Sequence, residues 1–421
     1  MFRSYNAGTR LVATEEDHFA TFSWYVFLGL SFCVGASAPA GFLTTFSLLA
    51  AISGLISLLI NKNKRESLLT FTNSERVVLV IFGYLALSVL WSSSIKDGLY
   101  DLFEYRVFVL VVIYSLVFTR DQRNWRVPLT IFLLGACVSL LVSFGLFFDL
   151  LDIDGRPDAR SKGDRIFHGI IMVSAIGIIL SSFSGFQLIG KVDKFHAVKV
   201  TLIAMFAINV LAVEIGRTAY VTLAVSVTTF VFISCRRFFP WFLLVSPLAV
   251  MVAYLVVPNF SARIDETYFQ TLEYFAHASV EDSPGIRINL YVWATEELLS
   301  NPFGHGIGDV ADVMGSAFKG GALLINADNV HNEYLNFGLI GGIPLAVLLA
   351  ASFIFWCRES CREKKVVGGE VFAILFSVFA THMLFNSAIK DLGEKTLLTI
   401  TLTSFLMLQR RIVNDTGCLK K

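Results

Sequence analysis

Three side chains stand out because their type and setting could do chemistry. Arg217 lies in Glu214-Ile-Gly-Arg-Thr-Ala-Tyr, between two strongly apolar runs. A guanidinium at the edge of hydrocarbon is expensive and needs a partner. That partner is either Glu214, as a structural ion pair, or the oxygens of an anionic ligand that match the planar fork. Arg287 lies in Ser283-Pro-Gly-Ile-Arg-Ile-Asn-Leu-Tyr-Val-Trp and opens a predicted helix, whose N-terminus favours anions; the plain alternative is a surface arginine. His331 lies in Asn329-Val-His-Asn-Glu-Tyr-Leu-Asn-Phe-Gly-Leu-Ile-Gly-Gly, where a long polar segment gives way to an apolar run. A histidine near an interface is commonly inert. Yet imidazole titrates at about 6.5 and is the natural general base near neutral pH. Asn332 and Glu333 follow closely enough to orient it or its ligand.

Other features carry weaker signals. Gly304-His305-Gly306-Ile307-Gly308-Asp309 reads as a turn in preference to a backbone nest for phosphate, because no strand-helix context surrounds it. Residues 150–166 hold Arg156, Arg160, Lys162 and Arg165 beside Asp152, Asp154, Asp158 and Asp164. This is either a solvated loop of mixed charge or a rim that meets an anionic substrate. No histidine pair has metal-ligand spacing and no Gly-x-Ser-x-Gly elbow occurs, so neither a metal nor a cofactor is expected. Of the six cysteines, Cys357 and Cys361 lie four apart with no second ligand pair, and all six read as reduced bystanders.

The elements that must position these residues belong to a membrane protein. Hydrophobic residues make up 55% of the 421, charged residues only 16%, and mean hydropathy is +0.67. A soluble domain is nearer a quarter charged, so this apolar surplus needs lipid to face. Net charge is +1, which leaves no electrostatic footprint for nucleic acid, and no such partner is expected. Runs long enough to span fall at roughly 19–37, 41–60, 77–91, 99–118, 127–149, 167–184, 199–213, 218–235, 239–257, 336–356, 368–386 and 396–409. The fold class expected is therefore all-α, a polytopic bundle of about twelve transmembrane helices. The first 18 residues are polar and the first apolar run lacks a small-x-small exit, so that run reads as an uncleaved anchor. Basic residues such as Lys62, Lys64, Arg120, Arg123, Lys191, Arg236, Arg237, Arg358 and Lys364 collect on one side, which puts both termini in the cytoplasm.

The chain then divides into spans one to nine (1–257), an outward-facing segment (258–335), and spans ten to twelve with a cytoplasmic tail (336–421). Within the outer segment, Ile264, Tyr268, Phe269, Leu272 and Phe275 recur at helical spacing. Ser283-Pro284 resembles an N-cap with proline at the first helical position. Ile286, Leu290, Trp293 and Leu298 form the stripe of the helix that follows, and Asn301-Pro302 ends it. Two helices on the outer membrane-water boundary are expected.

Taken together, several of these stretches resemble the O-antigen ligase and O-antigen polymerase superfamily of bacterial lipid-linked glycan transferases, with the ligases closest. They are the Gly-Arg-Thr start of the eighth span, Gly-Ile-Arg…Tyr-x-Trp…Asn-Pro-Phe-Gly-x-Gly, and His-Asn-Glu-Tyr-Leu…Gly-Leu-Ile-Gly-Gly, with Trp91-Ser-Ser-Ser and Gly163-Asp-Arg-Ile. The resemblance implies metal-independent, inverting transfer of a glycan from polyprenyl pyrophosphate to a sugar hydroxyl of lipid A-core, on the periplasmic face of the bacterial inner membrane. Carried over by position, Arg217 and Arg287 match pyrophosphate arginines, Arg165 a further basic position, and His331 the catalytic base. Asn332, Glu333 and Glu214 are supporting positions, and His168 has no assigned role. The expected partners are thus the lipid-linked donor, the lipid A-core acceptor and the bilayer. A polymerase with the same chemistry and a protein-glycosylating relative are the neighbouring readings. A transporter or flippase is the reading from another class; it calls for broken helices and charges in span centres, whereas the apolar runs here read as clean.

Overall fold

A computed structural model describes residues 17–60, 71–151, 165–184, 195–213, 216–277, 283–317, 329–362 and 368–418. Among these every regular element is helical, as expected of a chain whose peptide groups must be satisfied within the segment when water is absent. In chain order the helices are α1 (His18–Gly35), α2 (Ala40–Ile60), α3 (Asn73–Ser88), α4 (Ile95–Glu104), α5 (Val107–Arg120), α6 (Arg126–Phe147), α7 (Arg165–Ser181), α8 (His196–Ile208), α9 (Arg217–Ser234), α10 (Phe239–Val256), α11 (Pro258–His277), α12 (Ser283–Ser300), α13 (Val310–Ala317), α14 (Glu333–Arg362), α15 (Glu370–His382) and α16 (Leu392–Cys418).

Eight described helices are long and apolar enough to cross a membrane. The expected twelve differ from this count for identifiable reasons. The run at 99–118 is two helices, α4 and α5, bent by 48° at Tyr105-Arg106; counted as one span they raise the total to nine. Gly169–Ser181 and α15 are apolar but shorter. α16 is long, but polar at both ends. Nor are the spans uniformly clean. α8 runs into a π-helical stretch, Asn209–Val213, and α14 is broken at Gly341-Gly342.

One continuous apolar core joins most of the bundle, with α1 packed on α2 and α6, α5 on α16, and α9 and α14 on α15. Small residues permit the tightest of these contacts. A Cβ on Gly35 would lie 2.2 Å from the Phe132 carbonyl oxygen, and one on Gly135 would lie 2.3 Å from that of Phe32, so the α1 and α6 backbones touch. α10 is the opposite case. It has no buried residue and presents its apolar surface outward along its whole length.

A buried ion pair ties the two ends of the chain together. Glu75, fully buried in the first turn of α3, accepts from Arg410 Nε at 2.5 Å and Arg410 Nη2 at 2.8 Å. The same carboxylate accepts from the Ser115 hydroxyl at 2.7 Å and the Thr72 backbone N–H at 2.9 Å, closing a capping box. Removing one member strands the other charge. Glu75→Leu is therefore expected to destabilise the detergent-solubilised protein by about 3–5 kcal/mol. Adding Arg410→Met should recover part of that loss in a thermal melt. A single mutant that melts like the wild type would show that the pair contributes nothing.

Candidate active site

Two of the helices expected from spacing are present, at α11 and α12. α11 turns Ile264, Tyr268, Phe269, Leu272 and Phe275 outward, all exposed. Its other face carries Arg263, Glu266 and Gln270, which meet the start of α9. There Arg217 Nη2 donates to Gln270 Oε1 at 2.9 Å and stands 3.3 Å from Glu266 Oε1. Glu266 is also paired with Arg263. The two arginines hold its carboxyl below the usual range although burial works the other way.

α12 buries the inner part of its predicted stripe. Leu290 and Ala294 close on Met314 of α13, Val330 and Leu339. This seats Arg287 near the start of α12, partly buried. Burial lowers its pKa, and the positive charge of Arg217 nearby lowers it further, Tyr291 acting in the opposite sense. Among the described residues no carboxylate and no hydrogen-bond acceptor meets the Arg287 guanidinium. Two like charges face each other and only one has an acid partner.

One turn further along α12, the Tyr291 hydroxyl donates to the carbonyls of His331 at 3.0 Å and Leu384 at 3.1 Å. His331 itself has φ +53, a left-handed backbone that a side-chain-bearing residue adopts only when neighbours enforce it. The enforcement is visible. Asn329 Oδ1 accepts from the His331 N–H at 3.0 Å and from the Ser387 hydroxyl at 2.7 Å. Asn336 Oδ1 accepts from the Val330 N–H at 3.0 Å. Asn332 caps α14 through the Leu335 N–H at 3.1 Å and donates to the Leu384 carbonyl. Glu333 points inward, fully buried, where its carboxylate accepts from the Ile389 N–H at 3.2 Å. Asn332 and Glu333 thus fix the turn that presents the histidine, and neither hydrogen-bonds the imidazole.

The glycine run serves the fold. The break in α14 frees the carbonyls of Leu339, Ile340 and Gly341 and the N–H of Ile343. His305 and Gly306 donate to the first two at 2.8 and 2.9 Å, Tyr84 donates to the third at 3.0 Å, and Ile343 donates to the Pro302 carbonyl at 2.9 Å. The far side of the same turn meets Trp91-Ser-Ser-Ser. Ser92 Oγ accepts from the Gly308 N–H at 3.1 Å, and Asp309 accepts from the Ser93 N–H and hydroxyl at 2.8 and 2.7 Å. These amides are committed within the protein, so the turn reading holds over the phosphate nest.

Residues 201–350 match a family model described as O-antigen ligase. The match spans 150 of the 421 residues. Comparison with curated proteins gives no match. The matched stretch contains Arg217, Arg263, Glu266, Arg287 and the whole His331 turn. Arg165 lies outside it; α7 begins there, but its side chain, that of His168 and all of 152–164 lie outside the described residues, as does Glu214. Sequence reasoning did not single out Glu266, Gln270, Tyr291, Asn329 or Ser387 as site residues. Their partners come from elements far apart in the chain. Only the spacing of Arg263, Glu266 and Gln270 on one face of α11 was readable in advance.

The α14 break can be tested directly. Gly342 has φ +78, and a Cβ there would lie 2.2 Å from the Pro302 carbonyl oxygen. Gly342→Ala is expected to cost about 1–3 kcal/mol in backbone strain alone and to uncouple the 302–306 turn. Gly83→Ala, in α3 with open space around it, should be neutral or slightly stabilising. Equal melting temperatures for the two variants would show that the break has no structural role.

Proposed function

We propose that the protein transfers a glycan from polyprenyl pyrophosphate to a sugar hydroxyl of lipid A-core, without metal and with inversion. The observation that carries this reading is Arg287. It is a partly buried guanidinium close enough to Arg217 for the two charges to act on each other, with no acidic partner among the described residues, one helical turn from the tyrosine that holds the His331 turn. A partly buried cation without a counter-ion is costly unless a ligand supplies one. The O-antigen ligase match over the same residues points to a lipid-linked glycan as the source of that anion.

In this reading the acceptor oxygen attacks the anomeric carbon as its proton passes to the imidazole of His331. The bond from that carbon to the pyrophosphate oxygen breaks, and the leaving polyprenyl pyrophosphate takes the electron pair. Arg217 and Arg287 stabilise the charge that grows there, with Arg165 a further basic position on the same side. Arginine stays protonated and cannot be the base. Asn332 and Glu333 act through the turn that presents His331, and Glu214 supports Arg217. The site faces the periplasm at the inner membrane, both termini are cytoplasmic, and 258–335 is the outer segment between the ninth and tenth of twelve spans. A polymerase using the same residues is the second reading, because the family stretch does not separate the two acceptors. Lipopolysaccharide from a deletion strain does: bare core marks a ligase, and core capped by a single unit marks a polymerase.

Two outcomes follow. With purified protein, lipid-linked donor, acceptor and chelator, His331→Ala should lose about 10²–10⁴ of the rate while donor binding persists. Arg217→Lys and Arg287→Lys, which keep the charge and lose the fork, should each be impaired by up to about 10²–10³. Wild-type turnover in all three would remove the assigned roles. Orientation is checked in cells with a permeable outer membrane. A cysteine at the exposed Ser316 position should react with an impermeant thiol reagent. The unaltered protein, whose exposed cysteine among the described residues is Cys361, should stay unlabelled. The reverse pattern would place the site in the cytoplasm.

A further inference from the structure

The positive charge at this site is greater than the Arg217–Arg287 pair, and part of it is already occupied. Arg263 lies on α11 within one turn of Glu266, and the single carboxylate of Glu266 serves two guanidiniums. One oxygen pairs with Arg263 and the other stands 3.3 Å from Arg217 Nη2. Gln270, a turn further on, adds its carbonyl oxygen to the same Nη2 at 2.9 Å and directs its amide toward Glu266 Oε1 at 3.4 Å. Two oxygens set between two guanidinium forks are what a phosphate group also offers. Arg287, close enough for the charge of Arg217 to act on it, has no such oxygens.

The Glu266 side chain is 39% exposed, so a ligand arriving from solvent can reach it. A partly exposed carboxylate gives up its ion pairs at small cost, whereas a buried one would not. The helix that carries it packs on α10, α12 and the π-helical stretch after α8, where Asn259 donates to the Ala212 carbonyl. Phe260 packs on Tyr220, the Tyr254 hydroxyl donates to Asp265 at 2.6 Å, and the Tyr274 hydroxyl donates to Asn289 at 2.6 Å. Its opposite, apolar face is exposed.

We propose that Glu266 is a built-in counter-anion for the pyrophosphate site: its carboxylate stands where one phosphate group of the donor binds, is exchanged for it, and leaves Arg263 as a third ligand of the pyrophosphate. The inference rests on the reading of Arg217 and Arg287 given above. It explains why one arginine is paired and the other is not. Without an internal anion three like charges would repel and splay α11 from α9 before the donor arrived. Exchange of carboxylate for phosphate keeps the local charge nearly constant and makes affinity the difference between two anions, which favours release of the spent lipid pyrophosphate.

The experiment measures binding of inorganic pyrophosphate, in chelator, to the purified full chain in lipid nanodiscs. Glu266→Gln should bind about three- to ten-fold more tightly, the scale of an exposed charge contact. Gln270→Glu adds a second competing carboxylate and removes no packing; it should bind correspondingly less tightly. Arg263→Gln should weaken binding by about ten-fold, and in that background the gain from Glu266→Gln should shrink. If Glu266→Gln fails to assemble, Gln270→Glu and Arg263→Gln still decide the question. Should Glu266→Gln weaken binding, or Gln270→Glu or Arg263→Gln leave it unchanged, while Arg287→Gln abolishes it, the counter-anion is refuted and the pyrophosphate site stands. Should Arg217→Gln and Arg287→Gln also bind like the wild type, the site reading itself fails.

Discussion

A helix broken within an apolar bundle leaves peptide groups that need partners, and much of the structure around the candidate site is arranged about one such break. At Gly341-Gly342 three carbonyls and one N–H leave the α14 ladder, and each finds a partner in the 302–306 turn or in Tyr84. Irregular backbone at membrane depth is tolerated only where protein covers it in this way. The consequence reaches the site. The 302–306 turn ends α12, so pinning it to α14 fixes α12 against the His331 turn, and with it the position of Arg287. Trp91-Ser-Ser-Ser closes the other side of the turn. Three stretches distant in sequence therefore behave as one clasp.

Within that frame the charges are distributed unevenly, and the unevenness is the functional signal. Glu75 meets Arg410 and the buried Lys395 meets Glu104 at 2.6 Å, each a partner of opposite sign. A bundle in low dielectric demands this of structural ions. Arg287 has no such partner among the described residues, as the buried Glu333 has none, and it stands where α12 meets the Arg217 end of α9 and the His331 turn. An unmatched charge is tolerable there if the missing anion is a substrate.

The parts legible in the sequence were those set by local periodicity. Helices at α11 and α12, with the Ser283-Pro284 start and the Asn301-Pro302 stop, follow from side-chain spacing and cap chemistry that do not depend on the rest of the chain. Arg217, Arg287 and His331 were visible because a polar group beside an apolar run is anomalous by itself. Apolar length alone does not fix the number of spans. It cannot register the 48° bend at Tyr105-Arg106, and it does not separate a lipid-facing helix from one such as α15, whose residues are almost all buried by neighbours. Glu266 was not legible because its meaning depends on Arg217, which lies far away in the chain. Asn332 and Glu333 were legible as important, but their contacts run to Leu384, Leu335 and Ile389, away from the imidazole.

Those contacts suggest how the site tolerates a strained residue. The turn at 383–391 supplies the Met383 carbonyl to the Glu333 N–H at 2.9 Å, the Leu384 carbonyl to Asn332 and Tyr291, the Ser387 hydroxyl to Asn329, and the Ile389 N–H to Glu333. It is itself closed by a buried pair at its two ends, His382 Nε2 and Glu394 Oε1, 2.9 Å apart. A left-handed residue costs about 1–3 kcal/mol and persists only when its surroundings over-determine it. Here two turns, each too polar to be stable alone in an apolar setting, satisfy one another and share the strain. The histidine is held by α12 on one side and by the 383–391 turn on the other, and its placement follows from both ends of the α14–α16 unit. The role proposed for His331 requires placement to within about 0.5 Å, and rigid helices joined by mutually saturated turns supply that precision, which a loop resting on solvent would lack.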